Sequence, residues 1–153
     1  MIQGLPTQNV SPGPQTRKTG CKAHTGMAIV ADFLGVVPTP GQVRDWIVDA
    51  IYFKWMTKEL LVEKPHYWMK YVGAMMGERI ECEERYRGPA YANKLEQYKD
   101  CLIETEVEIT EGTHFLIQKY NYETKVFDEV YNPYPGCHGK GIVSIRVWEV
   151  KKL

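Results

Sequence analysis

An α+β fold follows from three features of the sequence. Helical periodicity runs through the first two thirds of the chain, and period-two alternation replaces it in the last third. The two signals are segregated, whereas a βαβ succession would interleave them. With 153 residues, 44% of them hydrophobic, the chain is long enough to bury one core and too apolar to be disordered. Residues 1–153 therefore read as a single domain.

Residues 1–20 predict an extended arm, punctuated by Pro6, Pro12, Gly13, Pro14 and Gly20. Ala23, Met27, Val30, Ala31 and Leu34 then recur at three- and four-residue intervals, and Gly35 stands where a glycine ends a helix. Thr39-Pro40-Gly41-Gln42 opens a second helix, with a capping-box pattern and proline at the first helical position. It continues through Val43, Ile47, Ala50 and Ile51. A third is expected over Pro65–Met76, with Trp68, Met69, Val72 and Met76 on one stripe. The charged run 78–87 reads as a solvated helix face or loop, followed by a short helix around Tyr91–Asp100.

From Ile103 the period becomes two. Ile103, Thr105, Val107 and Ile109 alternate with Glu104, Glu106 and Glu108, as in a half-solvated strand. A turn at Glu111-Gly112 leads to strands over Thr113–Tyr120 and Lys125–Tyr131, and a last strand covers Ile142–Val150. The expected architecture is an N-terminal set of helices packed on a C-terminal antiparallel sheet of about four strands.

Composition excludes several classes. Lys plus Arg and Asp plus Glu both number 19, so there is no basic surplus for nucleic-acid binding. The longest apolar stretch, Met27–Pro38, is broken by Asp32 and too short to span a bilayer. The polar, proline-bearing start does not resemble a signal peptide. Four cysteines (Cys21, Cys82, Cys101, Cys137) are too few for a disulfide scaffold of this length, so free thiols in a cytoplasmic, reducing compartment are expected.

Cys21 follows Gly20 at the first turn of the first helix, where backbone N–H groups lack intrahelical partners. Their partial positive charge favours a thiolate, the nucleophile of cysteine catalysis. The competing view is a small residue at a crowded arm–helix junction. His114 opens a strand after the Glu111-Gly112 turn. Centring the hairpin on loop 121–124 places His114 opposite Tyr131, with Asn132 next along and within reach of the imidazole. A polar group on one ring nitrogen sets the tautomer and turns the other toward the thiol. Gln15, six residues before Cys21, can return its side-chain amide to an oxyanion site shared with the Cys21 N–H.

This pattern resembles the papain-like cysteine peptidases, and within them the bacteriocin-processing (double-glycine) branch. The matching parts are Gln15-x5-Cys21, the helix end Phe33-Leu34-Gly35, the strand Gly112-Thr113-His114-Phe115-Leu116-Ile117 and Tyr131-Asn132-Pro133. They cover residues 15–35 and 112–135. The resemblance implies a papain-like fold with Cys21 as nucleophile, His114 as general base, Asn132 as the orienting residue and Gln15 as oxyanion donor, with no cofactor and a peptide or protein substrate. Gly20, Tyr134 and Trp148 are the residues expected near the substrate. Two departures stand out: Lys22-Ala23 replaces the small pair that usually follows the cysteine, and Asn132 replaces the usual Asp.

A zinc site is disfavoured, because Cys21/His24 and Cys137/His138 lack ligand spacing and no Cys-x2-Cys pair exists. Three functions stay open: a peptidase cleaving peptide or isopeptide bonds, a papain-like amidase or endopeptidase acting on cell-wall peptidoglycan, and a peptidase-like module that binds peptides without cleaving them.

Overall fold

The computed structural model describes residues 1–8, 20–110 and 112–153. Among them are four helices: α1 (Cys21–Leu34), α2 (Pro40–Tyr52), α3 (Pro65–Met75) and α4 (Ala92–Gln97). The strands are β1 (Ile80–Gly88), β2 (Ile103–Ile109), β3 (Gly112–Asn121), β4 (Val126–Tyr131) and β5 (Ile142–Lys152). The fold is α+β with a five-stranded antiparallel sheet. No helix among the described residues is long and apolar enough to cross a membrane.

Local chemistry explains the helix limits. In α2 the Gln42 N–H donates to Thr39 Oγ1 at 3.1 Å, and the Thr39 N–H donates to Gln42 Oε1 at 2.9 Å, which completes the capping box. Gly35 ends α1 at φ 67°, a left-handed conformation that glycine adopts without penalty. Between α1 and α3, Trp68 is fully buried and its Nε1–H donates to the Ala23 carbonyl at 2.9 Å. A Cβ on Gly26 would stand 3.2 Å from Trp68 Cδ1, so the small residue lets the two helices approach and seats the start of α1 firmly.

The strand order is β1-β5-β2-β3-β4, a meander of β2, β3 and β4 whose chain returns as β5 beside β2 and then pairs with β1. The expected sheet of about four strands thus gains a fifth. Residues 78–87, expected as a helix face or loop, supply it, because their charges alternate: Ile80 and Cys82 enter the core while Glu81 and Glu83 face water. Arg85 bridges to Glu149 on β5, so the charged side of this edge strand is paired across the sheet and unsuited to further strand addition.

The β3–β4 register also departs from expectation. Ile117, not His114, faces Tyr131, and an irregularity follows between Ile117 and Gln118. Glu111 of the expected turn lies outside the described residues, and Gly112 is already the first residue of β3.

Both faces of the sheet are covered. Helices α1–α3 contribute Met27, Val43, Ile47, Trp68 and Met69 to the larger core, which the sheet meets with Ile80, Cys82 and Ile117. On the other face Leu95 of α4 packs with Ile103, Ile145 and Val147. This arrangement corrects the expectation of a half-solvated β2: Glu104 is 1% exposed, because the face opposite Ile103 lies under α1. The arm residues 1–8 are pinned to this body. The Ile2 N–H donates to Asp32 Oδ1 at 2.7 Å, the Gln8 N–H donates to the Pro133 carbonyl at 2.6 Å, and the Tyr131 hydroxyl donates to the Pro6 carbonyl.

Candidate active site

Cys21 is the first residue of α1, directly after the N-cap Gly20, and is half-buried. The backbone N–H groups of Phe115, Lys22 and Cys21 itself lie near its sulfur and favour the thiolate. The Phe115 contact sets the sulfur beside the strand residue that follows His114. Cys21 and His114 line one cleft of about 870 Å³, together with Gln8, Phe115, Tyr134 and Cys137. Among the described residues no side-chain hydrogen bond joins the Cys21 thiol to the His114 imidazole.

The expected lowering of the Cys21 pKa is reversed. Burial pushes the thiol up from its ordinary value of 9.0, the Glu104 carboxylate adds to the rise, and the backbone N–H donors offset only part of it. Burial also pushes His114 down from 6.5, with the hydrogen bond to Asn132 and the Glu129 charge acting against that fall. With the thiol above its usual value and the imidazole below its own, the proton rests on sulfur. Any attack by this thiol would therefore need a base that takes the proton as the new bond forms.

Asn132 fixes which nitrogen serves. Its Nδ2 donates to the Cys137 carbonyl at 2.8 Å and to Glu129 Oε1 at 3.1 Å, while its Oδ1 accepts from the Tyr134 N–H at 3.1 Å. A flipped amide would set donor against donor and acceptor against acceptor, so Oδ1 must face the ring. His114 Nε2, 2.7 Å away, then carries the hydrogen and donates to it. The basic lone pair is left on Nδ1. Both residues are buried, His114 at 4% exposure and Asn132 at 7%, so this orientation is not softened by competing water.

Of the other expected residues, Tyr134 lines the cleft. Gly20 serves the helix start, its carbonyl accepting from the His24 N–H at 3.0 Å. Trp148 does not line the cleft; its Nε1–H donates to Glu104 Oε1 at 3.2 Å, and its ring meets His66 edge-on at 5.0 Å. Gln15 lies outside the described residues. A different arm glutamine, Gln8, is fully buried in the cleft wall. Gln8 carries no motif in the sequence, although it shares the proline-bearing arm with Gln15.

Lys22, the departure next to the nucleophile position, is tied into the protein. Its Nζ pairs with Glu104, which also accepts from the Thr25 hydroxyl, and the ammonium sits 5.2 Å from the Phe115 ring centre and 5.6 Å from that of Trp148. This buried pair joins the first turn of α1 to the start of β2. All four cysteines are free, and no group of three metal-binding side chains exists among the described residues.

His24, one turn into α1, is fully buried, and its Nδ1–H donates to the Gly20 carbonyl at 2.7 Å. Burial drives its pKa down to about 4. The unfolded chain, with a value near 6.5, therefore binds a proton between about pH 6.5 and 4 that the folded chain refuses. Stability should fall by about 3 kcal/mol as pH drops through that window and stop falling from this source below it. Urea unfolding at pH 7 and pH 4, compared with a His24→Gln variant, checks this; an equal pH dependence in both proteins would contradict it.

No family model, curated protein or solved structure matches this chain.

Proposed function

We propose that the protein is a cysteine peptidase of papain-like fold, cleaving a peptide or isopeptide bond with Cys21, His114 and Asn132. The observation that carries this reading is the fully satisfied Asn132 amide, which leaves the basic lone pair of His114 on Nδ1 in the cleft that also holds Cys21. Cys21 Sγ adds to the substrate carbonyl while its proton passes to Nδ1. The oxyanion is held by the Cys21 N–H and by a side-chain amide from the arm, Gln15 in the sequence pattern or Gln8 at the cleft wall. Collapse breaks the C–N bond, and Nδ1 returns the proton to the leaving amine. Water then attacks the thioester, gives its proton to the same nitrogen, and releases a carboxylic acid and the thiol. The chemistry needs no cofactor.

Incubation with unfolded casein and with purified peptidoglycan, followed by mass spectrometry for new amino termini, tests the assignment. Cleavage of casein that disappears in Cys21→Ala is the expected result. Release from peptidoglycan alone would move the substrate to the cell wall. Absence of any Cys21-dependent product from either would overturn the peptidase and favour a peptide-binding module.

A further inference from the structure

Asn can orient a histidine but brings no charge to stabilise the imidazolium that forms during thiol attack. A carboxylate stands one residue further back. Glu129, on β4, accepts from Asn132 Nδ2 at 3.1 Å through Oε1, and the same oxygen accepts from His138 Nδ1 at 2.9 Å. The path runs His114, Asn132, Glu129, His138, every link a hydrogen bond.

We propose that Glu129 is a positioning residue of the candidate active site, supplying through Asn132 the negative charge that a triad aspartate would provide directly, with the His138 imidazole, bonded to the same oxygen, tempering it. This inference rests on the peptidase reading of Cys21 and His114. Two features of the geometry support it. Glu129 determines the Asn132 orientation together with the Cys137 carbonyl, so it acts on the His114 tautomer as well as on its charge. Its field at His114 also has the required sign: Glu129 raises the imidazole's proton affinity and His138 lowers it.

Across the sheet Glu129 faces the uncharged Gln118, and the arm residues Gln3 and Thr7 line the same small hollow. The cleft that His114 lines also carries Cys21, Cys137, Tyr134 and the charged Lys22, Glu63, Arg87 and Arg146, while the charges that act on the imidazole are Glu129 and His138, behind Asn132. The Glu129 side chain is 36% exposed and that of His138 66%, so solvent screens both and the effect on His114 is modest.

The test is an NMR titration of the His114 imidazole in the full chain. Glu129→Gln keeps an acceptor for Asn132 but removes the charge, and should lower the His114 pKa. His138→Asn should shift it the opposite way. The acidic limb of the pH profile for Cys21 alkylation by iodoacetamide should move with each variant. An unchanged His114 pKa in both variants would overturn the proposal, because a merely structural bridge moves the unfolding midpoint and not the titration. If the His114 pKa shifts as expected while Cys21 alkylates no faster than an ordinary thiol, the coupling to Glu129 holds and the peptidase reading falls.

Discussion

Replacing His114 by alanine should slow alkylation of Cys21 at pH 7.5 by about 100-fold or more, the usual contribution of a positioned general base. The size follows from the resting state. Burial holds the Cys21 thiol above 9.0, so very little thiolate exists near neutrality, and reaction depends on a base that removes the proton as the bond forms. On the proposed mechanism that base is the Nδ1 lone pair of His114, since Nε2 is committed to Asn132 at 2.7 Å. In the wild type the rate should rise through an inflection below pH 6.5 as His114 loses its proton, stay level, and rise again above pH 9 as the thiol ionises by itself. His114→Ala should keep only the second rise. Stopped-flow or mass-resolved alkylation across this range reads both limbs, and survival of the first in the variant would remove His114 from the mechanism.

The second large effect falls on stability. Glu104→Ala should destabilise the fold by about 3–5 kcal/mol, the cost of leaving a buried partner charge uncompensated. Glu104 is 1% exposed and takes hydrogen bonds from Lys22, Thr25 and Trp148, so its loss strips three donors at once. The Lys22 ammonium would keep only the faces of Phe115 and Trp148. A double variant with Met at both positions removes the charge along with its partner, and should recover most of the lost stability. Urea unfolding of the single and double variants makes the comparison. A single-variant cost under about 1 kcal/mol would show that water reaches the pair.

The parts of the fold that were legible in the sequence are those where one residue type has one physical use. The Thr39–Gln42 capping box and the Gly35 terminus mark helix ends by chemistry that depends on no distant contact. β1 was not legible, because seven charged residues in 78–87 outweigh an alternation whose apolar half is only Ile80 and Cys82 before the pattern fades. Glu104 shows a different limit. Period two says that neighbours face opposite sides of a sheet, but not that both sides will be covered, so a carboxylate in a strand of alternating Glu was assigned to water.

The site repeats this division. Cys21 at a helix start, His114 on a strand and Asn132 after the next strand could be paired from element order alone, and His114 bonds Asn132 even though the register sets Ile117 opposite Tyr131. Asn132 directly follows the end of β4, next to the irregularity that sets Ile117 opposite Tyr131. The direction of the Cys21 pKa is set by something the sequence does not carry: burial in the fold outweighs the backbone donors. Gln8 and Glu129 carry no motif, and only the three-dimensional closeness of arm, β4 and turn brings them to the site.

The most direct measurement is a competition among the four thiols of the folded protein. Limiting iodoacetamide at pH 7.5, with each modified cysteine quantified by peptide mass spectrometry, should label Cys21 well ahead of Cys137, which lines the same cleft, and ahead of Cys101 and Cys82. That lead should vanish when His114 is replaced. Labelling of Cys21 at or below the rate of Cys137 in the wild-type protein would contradict an activated nucleophile and leave the cleft as a binding surface.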